Sequence, residues 1–237
     1  GELVWVVPLY HSGFFKWLTN MEGTPGYIVV SATNTNDVRY VEGSKIKYHP
    51  GSYLLFDVAR KVRFGPGLLT GITDYSFELD DNGQPYWVVS TYHNLRGFSL
   101  PEADGIILLN ATTGQMERYT MENIPEWVDR VQPEDFVIEQ ITNRGNYVHG
   151  IFNFANKDKY RPSDGHNIVY NNGECYLFTG LTSVGADDSA IGFIMVDMVT
   201  KEPIMYEMSG ATEEAGQLSA QGRVQDLGYQ ASFPIIL

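Results

Sequence analysis

Three stretches of the chain carry one pattern, and this repetition limits the possible folds more than any other feature. Gly26 to Tyr40 reads GYIVVSATNTNDVRY, Gly105 to Tyr119 reads GIILLNATTGQMERY, and Gly192 to Tyr206 reads GFIMVDMVTKEPIMY. In each, a glycine opens four mostly apolar residues that favour β structure. A short polar residue follows (Ser31, Asn110 or Asp197), and a tyrosine closes the stretch 14 positions after the glycine. Apolar runs on either side of a polar turn predict a strand, a turn and a second strand.

The likeness extends in both directions. Upstream, Trp5 to His11 reads WVVPLYH and Trp87 to His93 reads WVVSTYH. Asn82-Gly83 and Asn172-Gly173 precede the equivalent strands of the second and third copies, and Asn-Gly is a strong hairpin signal. Downstream of each closing tyrosine the pattern predicts a helix, roughly over 51–64, 125–141 (with Pro133 able to break it) and 212–227, where Thr212 serves as N-cap. Each unit thus reads as a helix followed by four antiparallel strands, the first of them Tyr75 to Asp80 in the second copy. The period of about 80 residues is too long for common solenoids and suits a small α+β module. The expected fold class is α+β and β-dominated, with about three tandem modules of antiparallel hairpins, each with a packed helix. The expected divisions are 1–64, a first repeat lacking its first strand; 65–145, a second repeat with its helix; and 146–237, an insertion, the third repeat, its helix and a terminal strand.

Composition narrows the function classes. Apolar residues make up 43% of the 237, enough for a core, and the 13% aromatic content suits strands. The net charge of −13 repels phosphate backbones, so sequence-independent nucleic-acid binding is not expected. The single cysteine, Cys175, builds no disulfide framework or zinc knuckle. No apolar run approaches the length of a membrane span, and no signal peptide is visible. The opening Gly1-Glu2-Leu3-Val4-Trp5 reads as the start of an excised piece, and the tail from Tyr229 to Leu237 resembles the start of a further first strand. Either the native protein continues at both ends, which is the favoured expectation, or the terminal strand completes the sheet of the first unit.

The hairpin turn Asn110-Ala111-Thr112-Thr113-Gly114-Gln115-Met116 resembles the D-x-x-T-G-x-hydrophobic signature of PepSY-type modules. Asp197-Met198-Val199-Thr200-Lys201-Glu202 resembles it with lysine in place of glycine. More broadly, PGSYLLFDVARKVRF, DNGQPYWVV and NATTGQMERYTMENIPEWVD look like an uncharacterised group of membrane-anchored proteins of Gram-positive bacteria. The resemblance implies an extracytoplasmic location, with the membrane reached only through a segment outside this sequence. It implies inhibitory, chaperone-like or scaffolding roles and brings no catalytic residues.

Candidate chemistry is sparse. His11 and His93 follow Tyr10 and Tyr92 at equivalent repeat positions. These two Tyr-His pairs either line a groove or are strand ends kept after duplication. No His-x-His or His-x-x-x-His spacing offers a metal site. Glu78 to Gly83 fails as a calcium loop, because Val89 stands where the bidentate acid belongs, and reads as an acidic hairpin turn. Asp187-Asp188 reads as a solvated loop, and Cys175 as a buried, inert strand residue. No G-x-S-x-G or P-loop occurs. Two aromatic segments stand out as partner-binding candidates. One is the loop from His11 to Asn20 with Phe14, Phe15 and Trp17, which either docks a partner or fills a gap between units. The other is the insertion with Tyr147, Phe152 and Tyr160 among basic residues, which either binds a partner or glycan or packs as a linker. The expected role is a non-enzymatic binding or scaffold module of the bacterial envelope with a protein or cell-wall partner and no cofactor. The alternatives are a PepSY-like inhibitor or assembly factor, and a hydrolase acting at a cleft between repeats.

Overall fold

The structure is a computed structural model describing residues 3–94, 101–146, 148, 158–184, 189–210, 213–224 and 228–232. Its elements form two compact units, residues 1–133 and 134–237. The first unit holds β1 (Val4–Pro8), α1 (Phe14–Thr19), β2 (Thr24–Ser31) and β3 (Val38–Ile46). A single 3-10 turn (Leu54–Phe56) and α2 (Val58–Arg63) follow, then β4 (Gly71–Leu79), β5 (Pro85–Asn94), β6 (Pro101–Asn110) and β7 (Met116–Thr120). The second unit holds α3 (Glu134–Asn146), β8 (Tyr160–Pro162), β9 (Asn167–Asn171), β10 (Glu174–Ser183), β11 (Ala190–Asp197), β12 (Pro203–Gly210) and α4 (Glu213–Val224). Three antiparallel sheets result, in the orders β1-β2-β3, β4-β5-β6-β7 and β12-β11-β10-β8, with β9 sharing the β10 edge. The chain is therefore β-dominated and α+β.

Each repeated stretch is a hairpin: β2-β3, β6-β7 and β11-β12. Its opening glycine has a steric reason. A Cβ on Gly26, Gly105 or Gly192 would lie 1.9, 2.1 or 2.1 Å from the carbonyl oxygen of Val41, Tyr119 or Tyr206 on the partner strand. No side chain fits at such a distance, so the close strand approach selects glycine.

The turns are equally legible in bonds. Asn110 Oδ1 accepts from the Thr112 and Thr113 amides, and Asp197 Oδ1 accepts from those of Val199 and Thr200. Gly114 N donates to Asn110 O, and Lys201 N to Asp197 O, at 2.9 and 3.1 Å. Gly114 takes φ 75° there and Lys201 takes φ 66°, so the lysine sits in the left-handed region that glycine occupies freely. The Asn172-Gly173 turn has both residues at positive φ, as a type I′ hairpin requires.

In the first unit, Val58 and Val62 of α2 are fully buried against Trp87, Val89, Ile107 and Leu109 of the second sheet. Tyr27, Val29 and Ile46 of the first sheet belong to the same core. Trp87 anchors the joint by donating its indole N–H to Tyr48 O at 2.7 Å. The opposite face of the second sheet is also covered: Ser90 Oγ donates to Val131 O at 2.6 Å, and Val128 and Val131 are buried. In the second unit, Val137 and Ile141 of α3 pack on Leu177, Leu181, Ile194 and Val196. Gly145 lets α3 approach β8, since a Cβ there would lie 2.0 Å from Tyr160 O. Each fully buried aliphatic side chain contributes about 1.5–3 kcal/mol. The other face of the first sheet stays open. Trp5, Val7, Val38 and Tyr40 are exposed on it, in register with half-buried Ile28 and Val30.

Two expected helices differ. The helix over 51–64 is a 3-10 turn followed by six residues of α2, because Asp57 caps the helix start at Arg60 N and breaks the run. The helix over 125–141 begins only at Glu134, after Pro133, and runs on to Asn146. One short helix was not anticipated, α1, which lies in the aromatic loop after His11. Residues 229–232 of the expected terminal strand form no strand, held instead by Gln217 and Gln221 of α4, while its last five residues, the Thr212 cap and the Asp187-Asp188 loop lie outside the described residues.

Candidate functional site

The aromatic loop after β1 and the segment before α2 meet in the first unit. Gly13, at φ 94°, turns the chain into α1, whose six residues point only Trp17 inward. The helix is closed by Asn20, whose backbone N–H bonds Trp17 O and whose side-chain amide donates to Lys16 O at 2.8 Å. Asp57 organises the facing segment. It accepts from Gly51 N and Arg60 N, both at 2.7 Å, folding residues 49–57 into a loop that His49 closes through backbone bonds with Phe56 and Val58.

Trp17 then lies 5.3 Å from the Tyr53 ring and 5.8 Å from Phe56, while Phe14 meets Tyr53 edge-on at 5.2 Å. These separations are those of favourable aromatic pairs. Behind them is a small cavity of about 100 Å³ lined by Tyr10, His11, Trp17, His49 and Tyr53. His49 forms its floor, buried, with its ring 4.7 Å from that of Tyr10. Among the described residues neither His49 ring nitrogen makes a well-aligned hydrogen bond, the Ile46 backbone offering only a marginal one. Burial drives its pKa down to about 4; hydrogen bonding to the Ile46 backbone opposes this and the His11 ring adds to it. His49 is therefore a neutral imidazole at neutral pH.

The outer side of this cluster is apolar and exposed. Phe15 is 80% exposed, Leu54 63% and Leu55 62%, flanked by Phe14, Leu18 and Tyr53. Leu54 is held at φ 52°, a strained conformation for leucine, and the Arg60 guanidinium bonds its carbonyl. A strained backbone that presents an apolar side chain to water is a feature of binding loops.

Of the residues singled out from sequence, the structure brings Tyr10, His11, Phe14, Phe15 and Trp17 to this one region. Tyr92 and His93 have other surroundings. The Tyr92 ring covers Gly71, where a Cβ would lie 2.5 Å from it, and His93 Nδ1 lies 3.6 Å from Asp104, which Arg118 also approaches at 3.8 Å. Tyr160 is buried in the core of the second unit, where it also lines a groove with Val148 and Lys159. Tyr147 and Phe152 lie outside the described residues. Cys175 is buried in β10. Glu78 is no turn residue. The turn is capped by Asp80, which accepts from Asn82 N and Gln84 N, while Glu78 reaches across to accept from Asp129 N at 2.9 Å.

Sequence reasoning missed His49, Tyr53, Leu54 and Leu55. The only signal was the apolar Tyr-Leu-Leu-Phe run, which reads as the buried face of a helix. Among the described residues no group of three or more His, Cys, Asp or Glu side chains is placed to hold a metal, and no helix is long and apolar enough to cross a membrane. Comparison with family models, with curated proteins and with solved structures finds no match.

Proposed function

We propose that the chain is a non-enzymatic binding module that holds a protein partner on the apolar ridge formed by α1 and the Tyr53-Leu54-Leu55 segment. One observation carries this reading. Six large apolar side chains, from Phe14 to Leu55, stand together in water on a backbone that is strained at Leu54 and pinned by Asp57 and Arg60. Folding gains nothing from exposing them, whereas a docking partner gains their burial.

The module belongs, in this reading, to an envelope protein anchored outside the cytoplasm, in line with the likeness of its sequence to membrane-anchored proteins of Gram-positive bacteria. It is read as about three tandem modules of antiparallel hairpins, each with a packed helix, the first lacking its first strand and the third carrying a fifth. Support comes from the three hairpins with their opening glycines and from helices α2 and α3, which pack on matching positions, Ile107 and Leu109 in one sheet and Ile194 and Val196 in the other. Ile28 and Val30 hold those positions in the first sheet, on its open face. A second reading, a PepSY-like inhibitor or assembly factor, is supported by the paired turns at Asn110 and Asp197, whose hydrogen bonds match one for one.

The test is binding of the labelled chain to intact Gram-positive cells, before and after protease shaving. Saturable binding that shaving removes, and that Phe15→Asp with Leu55→Asp weakens about tenfold or more, is the expected result. Equal binding by the wild type and the double variant overturns the proposal. Inhibition of a secreted protease by the wild type would favour the second reading.

A further inference from the structure

We propose that a groove at the turn end of the second sheet binds a neutral saccharide. It is made of different elements from the ridge, and the proposal does not rest on that reading. Its volume is about 390 Å³, within the range of small-molecule sites.

The groove has the two features that sugar recognition needs. The first is an aromatic platform. Tyr86, in register with Asn110 on β6 and Glu78 on β4, faces Trp127 with ring centroids 5.3 Å apart and planes at 39°. Trp127 comes from the segment after β7, which is fixed by the Ser90–Val131 and Glu78–Asp129 bonds and by burial of Val128. The indole is thus held in place before any ligand arrives, and Tyr119 adds a third ring to the lining. Sugar C–H groups carry a slight positive charge and are attracted to the negative face of such rings, as cations are more strongly.

The second is a set of hydrogen-bonding groups at the rim that the fold leaves available. Asp80 uses Oδ1 for the Asn82 and Gln84 amides, and Oδ2 takes no part in those bonds. Asn110 uses Oδ1 for the Thr112 and Thr113 amides, which leaves its Nδ2 group to donate. Glu117 accepts from the Tyr119 hydroxyl and has further acceptor capacity. Carboxylate acceptors and an amide donor suit vicinal hydroxyls or an acetamido group. Among the described residues no lysine or arginine lines the groove, and Asp80 and Glu117 repel anions, so nucleotides and acidic sugars are disfavoured.

The experiment titrates the full chain with three probes, tri-N-acetylchitotriose, cellotriose and trigalacturonate, read by saturation-transfer NMR and by tryptophan fluorescence. At least one of the two neutral trisaccharides should bind saturably, with transfer strongest at ring C–H protons, and trigalacturonate should bind at least about tenfold more weakly. Trp127→Ala should weaken binding by about tenfold or more with the far-UV spectrum unchanged, while Phe15→Ala on the ridge should leave it intact. Asp80→Asn keeps the turn cap, because Asn Oδ1 accepts the same amides, and should narrow the gap between neutral and anionic sugars. The proposal is overturned by any of three results. These are no saturable binding of either neutral sugar at about 10 mM, trigalacturonate bound as tightly as the better of them, or sugar affinity unaffected by both Trp127→Ala and Asp80→Asn.

Discussion

Glu78 and His49 should make opposite contributions to acid stability in the same unit, and removing either should expose the other. Burial raises the Glu78 pKa from its ordinary 4.5 to about 7, opposed by its hydrogen bonds from Ser76 and Asp129 N. Burial lowers that of His49 from 6.5 to about 4. Between pH 4.5 and 7 the folded chain keeps the Glu78 proton while the unfolded chain releases it, so stability falls as pH rises. Between pH 4 and 6.5 the unfolded chain protonates His49 while the folded chain refuses to, so stability falls as pH drops. At about 1.4 kcal/mol per pKa unit, His49 accounts for about 3 kcal/mol. Glu78, which keeps some contact with water, accounts for about 2 kcal/mol. The two slopes largely cancel in the wild type. Glu78→Gln keeps an acceptor for Asp129 N and should leave the chain more acid-labile than wild type. His49→Leu removes two poorly satisfied buried nitrogens and should make stability increase toward acid. Trp5, Trp17, Trp87 and Trp127 all lie within residues 1–133, so tryptophan fluorescence during urea unfolding reports this unit. Differences from wild type that are flat across this pH range, or of the same sign for both variants, would refute the reasoning.

Three further outcomes follow from the turns and glycines. Lys201→Gly should raise stability by about 0.5–1 kcal/mol in thermal unfolding, because glycine takes positive φ without strain. Gly105→Ala and Gly192→Ala should each cost about 3 kcal/mol or more, measured by urea midpoint, since a methyl would sit 2.1 Å from a carbonyl oxygen. Asp57→Ala loses the α2 cap and the Gly51 bond, and should cost about 1–2 kcal/mol in urea unfolding and weaken ridge-dependent cell binding more than it weakens the fold.

How much of the molecule was legible depended on how local its physics is. The hairpins could be read because their determinants lie within a few residues: a glycine where strands touch, an Asn or Asp whose side chain caps its own turn, and an Asn-Gly pair at positive φ. The helices were read less well because an apolar spacing does not say where a run is interrupted. Asp57 can cap only after the chain has turned at His49 and Gly51, so the run from Tyr53 to Phe56 looked like a helix face and became an exposed strained turn. Glu78 shows the same limit from the other side. It stands in an acidic turn motif, yet its bonding partner is a backbone amide 51 positions away, and its unusual proton affinity follows from that distant packing. Tyr160 sits among basic and aromatic residues that suggest a surface, but Gly145 opens a place for its strand beneath α3. The ridge, and the segment that brings Trp127 over the strands of the saccharide groove, are too short to have a periodicity, the latter fixed by the Ser90–Val131 and Glu78–Asp129 bonds. The hairpin strands have a pattern that is visible in sequence, whereas the short segments that form the ridge and bring Trp127 to the groove have none.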